Sequence, residues 1–307
     1  MSEPDIQEFS GDVERLYRLW KAAASERPWE TLKTPDQFNA KYLDDPFQQK
    51  GFVLAVVSGG NADGAALTSL VPELERAIVR LWVAPERQRK GLGTSLLKET
   101  VARLRKRGRW RLECEPVPFC PGYNAFFKAN GFEPDADFPG GYLMRHGAEF
   151  VTLAAEPKGC RTARVRRIQE SEYFDRVADV AIDDSGGRKI DLAERKNEML
   201  AAMADARAQC YSLALDGERV LGFSRSAIVE NVAGELQLRN RGLIVSTEAR
   251  GKGIGRALLD DNLAWGFGEG ARVAYISTHS KNPAKRLYER AGYRVVETME
   301  NLVLQVG

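Results

Sequence analysis

The sequence predicts an α/β protein made of two consecutive, similar domains, each with a mixed, mostly antiparallel sheet flanked by helices. The length of 307 residues is about twice that of a typical domain. Residues 83–97 match residues 245–259 at an offset of 162, with glycines and leucines in the same places. A second match joins residues 126–132 to residues 287–293 at an offset of 161. Two matches at nearly one offset indicate a duplicated domain.

The composition is that of an ordinary globular protein. Hydrophobic residues make up 43% and charged residues 29%, and the formal net charge is +2. This balance argues against a nucleic-acid partner. Because no stretch approaches 18 apolar residues, we expect no membrane span. The densest basic run, 103–111, is interpreted as the solvated end of a helix, with contact to a polyanionic cofactor as the alternative.

The cysteine and histidine content predicts neither a metal site nor a disulfide framework. Four scattered cysteines without C-x-x-C spacing and two histidines supply too few suitably spaced ligands. The acidic start of the chain lacks the apolar segment of a secretion signal. We therefore expect a cytoplasmic protein, either a monomer with internal pseudo-symmetry or a weak homodimer.

The first predicted domain covers residues 1–154. Its expected elements are helices at 12–24 and 34–42, strands at 52–57 and 77–83, a helix from residue 92 and a strand at 110–114. The helix from residue 92 is predicted from apolar residues at helical spacing, and Gly108 is expected to end it. A linker is expected near residues 155–161, around Pro157 and Gly159.

The second predicted domain covers residues 162–307 and repeats this order. Its expected elements are helices at 171–181 and 191–208, strands at 210–215, 220–223 and 237–245, a helix from residue 254 and a strand at 273–277. The pair Asp216–Gly217 between two apolar runs predicts a hairpin.

Each domain contains a strand that runs into a short, basic, glycine-rich turn and then a helix. This arrangement suits an anion, because the first turn of a helix has unpartnered N–H groups and glycines allow close approach. In the second copy Gly255 is followed by Arg256 and Ala257, which excludes a P-loop. The spacing of Gly251, Gly253 and Gly255 also departs from the dinucleotide fingerprint.

The two turns, 88–93 and 250–255, resemble the [Q/R]-x-x-G-x-[G/A] signature of the GNAT N-acetyltransferase superfamily. Each follows a strand with the Leu-x-Val ending of that family. The resemblance covers nearly the whole chain and implies two consecutive GNAT-like domains that bind the pyrophosphate of acetyl-CoA or another acyl-CoA. In the second copy it assigns cofactor contacts to Leu243, Ile244, Val245, Arg250, Gly251, Lys252, Gly253, Ile254, Gly255 and Arg256. In the first copy it assigns them to Val83, Gln88, Arg89, Lys90, Gly91 and Gly93.

Residues 282–293 resemble the family's second signature, N-x-x-A-x-x-L-Y-x-x-x-G-[F/Y]. Asn282 stands where it can cap a helix starting near Pro283. The resemblance implies that Asn282 contacts the pantetheine arm and that Tyr288 donates a proton to the departing thiolate, a role a phenol can perform. A backbone N–H near Ile244 or Val245 could stabilise the oxyanion. The alternative for Tyr288 is an aromatic residue that only packs its helix on the sheet.

The first copy departs from this signature. Phe127 replaces the tyrosine and Pro121 replaces the asparagine. The first domain is therefore predicted to lack the usual acid, although it could still bind a CoA-like molecule. Tyr123, one helical turn from Phe127, is a possible substitute acid. A purely structural role for this domain is the alternative.

No general base is evident in the second domain. Glu230, Glu235 and His279 are candidates, but a residue at such a place is more often a plain loop or hairpin residue than a base. The central strand carries Asn240 and Arg241 rather than a carboxylate, which favours a water relay.

These observations predict an acetyl-CoA-dependent N-acetyltransferase that acts by direct transfer in its C-terminal domain. The expected acceptor is a primary amine of a small molecule. Acetylation of a protein and a non-catalytic acyl-CoA sensor or scaffold are the alternatives.

Overall fold

A computed structural model describes residues 4–25, 30–44, 48, 50–114, 120–148, 159–183, 191–201, 203 and 206–307. The helices are α1 (Val13–Ala24), α2 (Pro35–Tyr42), α3 (Leu92–Arg105), α4 (Pro121–Ala129), α5 (Phe174–Asp183), α6 (Leu192–Ala201), α7 (Ile254–Gly268) and α8 (Ala284–Arg290). The strands are β1 (Gln7–Glu8), β2 (Phe52–Ser58), β3 (Asn61–Val71), β4 (Arg76–Val83), β5 (Trp110–Cys114), β6 (Glu133–Pro134), β7 (Gly141–Gly147), β8 (Arg161–Val165), β9 (Ala208–Asp216), β10 (Arg219–Glu230), β11 (Leu236–Val245), β12 (Val273–His279), β13 (Arg294–Met299) and β14 (Leu302–Val306).

The chain forms two compact units, each with a seven-stranded mixed sheet, which confirms the predicted fold class. The sheet of the first unit has the order β1-β2-β3-β4-β5-β14-β6, and β4 and β5 are its parallel pair. The sheet of the second unit has the order β13-β7-β12-β11-β10-β9-β8, and β11 and β12 are its parallel pair. The parallel pair is therefore at the same place in both sheets.

The boundaries of the compact units differ from the contiguous domains 1–154 and 162–307 predicted from the sequence. The first unit consists of residues 1–140 with 299–307, and the second of residues 141–298. Strand β14 pairs with β5, and β7 pairs with β12, so each sheet contains the strand that the other half of the sequence would supply. The pattern of one apolar strand does not tell which of two similar sheets it joins, and the prediction lacked that information.

Side-chain caps explain the starts of the first two helices. The Asp12 side chain accepts from the Glu14 N–H at the start of α1. Thr34 and Gln37 form a reciprocal capping box at the start of α2, with distances of 3.2 and 3.0 Å. Helices α3 and α7 bury a leucine-rich face on the central strands of their sheets.

Of the other sequence predictions, the hairpin is confirmed and one helix is shorter than expected. In the hairpin, Arg219 pairs with Asp216 and Gly217 has a φ of +58°. The helix predicted at 191–208 is α6, which ends at Ala201, and β9 begins at Ala208. The predicted linker at 155–161 lies mostly outside the described residues. In the part of the chain described, no helix is long and apolar enough to cross a membrane.

The parallel pair of each sheet is joined only at one end. Strand β11 pairs with β12 over residues 237–240, and its last five residues continue beyond that ladder. Strand β4 pairs with β5 over residues 76–79 and then diverges in the same way. The backbone at the end of each central strand is therefore not paired with the neighbouring parallel strand, just before the glycine turn.

We expect two of the four cysteines to resist alkylation in the folded protein. Burial raises the pKa of Cys114 to about 12 and that of Cys210 to about 11, so both remain thiols at pH 8. Cys120 and Cys160 are partly exposed. Peptide mass spectrometry after brief treatment with iodoacetamide should find label on Cys120 and Cys160, and on all four residues only after denaturation. Equal labelling of the four native thiols would contradict this burial.

Candidate active site

The glycine turn of the second unit links β11 to α7 in a conformation that requires glycine. Gly251 and Gly253 have φ values of +79° and +82°, a region that other residues adopt at a cost. Gly253 is the N-cap of α7, and no side chain caps the helix. The first amides of α7 therefore lack a side-chain acceptor, as the sequence predicted for an anion-binding turn.

The space outside this turn is open. A Cβ added at Gly251 or Gly253 would meet no atom within 4 Å. Lys252 lies between them, exposed, and forms no hydrogen bond or ion pair within the described part of the chain. The turn thus presents free amides, the positive end of a helix dipole and an unpaired cation to the same open space.

Two predicted anion ligands in this turn are tethered by the protein itself. The Nε of Arg250 donates to the Val245 carbonyl oxygen at 3.0 Å. The Nε of Arg256 donates to Asp260 at 2.6 Å, and its Nη1 donates to the Arg290 carbonyl oxygen at 2.5 Å. Burial raises the pKa of Asp260, and the Arg256 charge opposes that shift. These bonds hold both guanidinium groups in place beside the turn.

The end of β11 offers backbone groups on the side that faces away from β10. The Ser246 N–H donates to the Leu221 carbonyl oxygen on β10. Hydrogen-bonded and non-hydrogen-bonded residue pairs alternate along two antiparallel strands. The N–H and C=O groups of Ile244 therefore point toward β10, and those of Leu243 and Val245 point away from it. Of the two residues considered for the oxyanion, Val245 has the better directed N–H.

Tyr288 lies on α8, the helix that packs against the start of α7. An added Cβ at Gly255 would lie 3.2 Å from Leu287, so the two helices approach closely next to the turn. The Tyr288 side chain is 6% exposed, and its hydroxyl has no hydrogen-bond partner among the described residues. Burial raises the pKa of Tyr288 to about 12, so the phenol keeps its proton at neutral pH.

The Asn282 side chain bonds to the first residue of the helix that carries Tyr288, while Pro283 takes the N-cap position. The Asn282 Oδ1 accepts from the Ala284 N–H at 2.9 Å, and α8 begins at Ala284. The side-chain Nδ2 of Asn282 is exposed and remains available to a ligand.

The glycine turn of the first unit has the same shape with different residues. Arg89 has a φ of +58° at the place of Gly251, and Gly91 has a φ of +81°. The Gln88 side chain donates to the Val83 carbonyl oxygen at 3.3 Å, as Arg250 does to Val245. Lys90 folds back onto the Glu86 carbonyl oxygen. The turn borders a cavity of about 330 Å³ that Tyr123 also lines.

Phe127, at the place of Tyr288, is part of an aromatic core. It is fully buried, and its ring centroid lies 4.9 Å from that of Tyr123 and 4.8 Å from that of Phe132. On the other face of the sheet, Trp82 packs against Phe38 and Tyr42 at 5.6 and 5.2 Å. The side chain of Pro121 lies outside the described residues.

The carboxylates considered as bases lie away from the turn. Glu230 pairs with Arg207, and Glu235 accepts from Asn231 in the β10–β11 hairpin. Strand β11 separates this hairpin from Val245 by ~30 Å, given about 3.3 Å per residue. His279 ends β12, where its Nδ1 accepts from the Lys281 N–H at 3.2 Å.

Sequence reasoning missed a basic group on the face of the sheet opposite α7. Strand β11 has a bulge at Arg241, an extra residue between Asn240 and Gly242. Gly242 is the residue paired with Arg225 on β10. Tyr211 is the neighbour of Arg225 on β9. The one available signal was a single charged residue between two serines in the middle of β10.

Comparison with protein families identifies the fold. Residues 13–132 match the model of the acetyltransferase (GNAT) family, and residues 206–295 match that of the acetyltransferase (GNAT) domain. The two matches together cover more than half of the chain. The chain therefore belongs to the GNAT acetyltransferases and carries two such domains in tandem. No curated protein sequence matches it significantly.

Solved structures share this tandem architecture. A tandem GNAT protein from the clavulanic acid biosynthesis pathway is 19% identical, with a TM-score of 0.77 and 99% of both chains covered. A GCN5-related N-acetyltransferase from Sphaerobacter thermophilus is 18% identical, with a TM-score of 0.66, 99% of this chain and 97% of that chain covered. A GNAT-family acetyltransferase from Colwellia psychrerythraea is 14% identical, with a TM-score of 0.64, 98% of this chain and 99% of that chain covered. At these identities the likeness concerns the fold.

Proposed function

We propose that the C-terminal domain transfers an acetyl group from acetyl-CoA to a primary amine of a small molecule. One observation carries this proposal: the uncapped, open turn at Gly253 and the unpartnered Tyr288 hydroxyl lie on two helices that touch at Gly255 and Leu287. An anion-binding turn and a proton donor are thereby held next to the end of β11.

The residues present fit an acyl-CoA. The free amides of the turn, with Lys252 and Arg256, suit the diphosphate, and the backbone of Leu243 and Val245 suits an amide-rich arm such as pantetheine. Asn282 has a free amide nitrogen nearby for the same arm. Acetyl-CoA supplies an activated thioester carbonyl when bound.

In this proposal Tyr288 is the general acid. The acetyl group moves from sulfur to nitrogen, and the departing thiolate takes the proton of the Tyr288 hydroxyl. The Val245 N–H, directed away from β10, stabilises negative charge on the carbonyl oxygen. Because the carboxylates Glu230 and Glu235 lie at the far hairpin, the amine loses its proton to water.

The N-terminal domain is proposed not to catalyse transfer. Phe127 has no proton to give, and the rings of Trp82, Phe38 and Tyr42 fill the face on which an acceptor would lie. Its turn and cavity still suit a CoA-like ligand. A binding role in this half is therefore compatible with chemistry in the other half.

The proposal is tested by release of free CoA thiol from acetyl-CoA in the presence of a broad panel of primary amines. We expect amine-dependent release with formation of the acetylated amine, detected by mass spectrometry. Acetyl-CoA that binds without any amine-dependent release would contradict catalysis and favour a sensor or scaffold.

A further inference from the structure

We propose that the acceptor amine of the C-terminal domain carries a carboxylate, and that Arg225 binds it. This inference rests on the transfer reaction proposed above and names the class of its acceptor as amino acids or similar amines. Arg225 lies on β10 between Phe223 and Ala227, which are buried in the core shared with α5 and α6. A cation on this face has no role in the hydrophobic packing around it.

The bulge in β11 makes room for the Arg225 side chain. Gly242 lies opposite it, and an added Cβ there would approach the Arg225 Nε to 3.1 Å. The Nε donates to the Arg241 carbonyl oxygen at 2.9 Å. The guanidinium is therefore fixed beside the backbone that leads directly into Leu243 and Val245, where the transfer is proposed to occur.

The remaining nitrogens of Arg225 have no anionic partner in the described part of the chain. Its cross-strand neighbour Tyr211 is 0% exposed, and the Tyr211 hydroxyl interacts with the Arg225 guanidinium and with no other side chain in that part of the chain. Burial raises the pKa of Tyr211, and the charge of Arg225 together with a hydrogen bond from it opposes that shift. The guanidinium N–H groups that remain and the phenol O–H match the two oxygens of a carboxylate.

The charge of the surrounding face favours an anionic acceptor over a cationic one. Arg239 and Arg241 follow on the same face of β11, and Arg239 lies over the Tyr275 ring at 5.0 Å. Positive charge disfavours a polyamine and lowers the pKa of a bound amine, which promotes its neutral, reactive form. A carboxylate next to the amine gives the acceptor a net attraction to this face.

The duplicated domain provides an internal control. Val83 and Val245 are the equivalent last residues of β4 and β11, and they pair with Gly64 and Gly222. Three residues further along, β3 has Leu67 where β10 has Arg225. Leu67 is fully buried. The copy that lacks the tyrosine acid therefore has an apolar residue at this place, and its arginine lies instead on β4, where Arg80 is opposite Leu67 and donates to the Ser69 Oγ at 3.0 Å.

The test compares matched acceptors with the full-length protein. The common L-amino acids, β-alanine and 4-aminobutyrate are assayed beside their amides, their decarboxylated amines, spermidine and phosphoethanolamine. We expect turnover of carboxylate-bearing amines at least roughly 10-fold above their amides. Arg225→Met should lower kcat/KM for these acceptors roughly 10- to 100-fold while acetyl-CoA affinity stays unchanged. Arg225→Lys should retain part of the activity, and Arg207→Met, in an exposed ion pair on the same unit, should retain all of it.

A binding measurement separates this proposal from the transfer reaction. Ligand-observed NMR should detect a carboxylate acceptor bound to the wild type and to Arg207→Met but not to Arg225→Met. If this pattern holds and no amine is acetylated, the transfer reaction fails and the carboxylate site remains. Equal use of amides, a preference for phosphoethanolamine, no binding of any carboxylate, or binding unchanged by Arg225→Met would overturn the proposal.

Discussion

Replacing Tyr288 by phenylalanine is expected to lower kcat by roughly 100-fold or more, the typical contribution of a positioned general acid. The substitution removes one hydroxyl that has no hydrogen-bond partner among the described residues, so packing around the ring is preserved. Affinity for acetyl-CoA should change by less than about 2-fold, because the phosphate-binding turn is untouched. Steady-state kinetics with calorimetry of acetyl-CoA binding measures both quantities.

The pH dependence follows from the raised pKa of Tyr288. Its pKa of about 12 lies above the usual value of 10, so the acid form is fully present at neutral pH and is lost only as pH rises toward 12. The loss in Tyr288→Phe should therefore be the same at every pH from 7 to 10. Tyr173→Phe is the matched control, since Tyr173 packs beside α5, away from the turn. A kcat unchanged by Tyr288→Phe would leave Tyr288 with a packing role.

Replacing Gly253 by glutamate is expected to abolish measurable binding of acetyl-CoA to the C-terminal domain, with an affinity loss of roughly 100-fold or more. The new side chain would project into the open space outside the turn, where its carboxylate repels a diphosphate. The backbone at φ +82° adds strain of about 1–3 kcal/mol. Calorimetric titration with acetyl-CoA measures the effect, and turnover should fall with it.

Two further glycines distinguish strain from charge and one domain from the other. Gly217→Glu introduces the same residue at a hairpin turn with φ +58° and open surroundings, and should leave binding by the C-terminal domain intact. Gly91→Glu alters the N-terminal turn and should leave turnover intact. Turnover lost in Gly91→Glu and kept in Gly253→Glu would assign the chemistry to the other half.

Features set by local chemistry were predictable from the sequence. The turns at Gly91 and Gly253 need positive φ and lead into a helix, and the residues of each turn and of the helix that follows it indicate both features. The hydrogen bond of Asn282 at the start of α8 and the hairpin at Gly217 are equally local. The duplication then predicted two sheets of the same class.

Features set by distant partners were not predictable. The exchange of β7 and β14 depends on which of two similar sheets each strand meets. The bulge at Arg241 depends on register between β10 and β11, and it brings Arg225 to the end of β11. The tether from Arg256 to Asp260 has the i,i+4 spacing of a helix pair, so that signal was present but was not used.

The most direct test of the account is a crystal structure of the protein with acetyl-CoA. We predict diphosphate oxygens within hydrogen-bond distance of the amides at the start of α7, with the thioester sulfur beside the Tyr288 hydroxyl. A fully occupied ligand elsewhere, with the Gly253 turn empty or filled by a protein side chain, would contradict the proposed chemistry of the C-terminal domain.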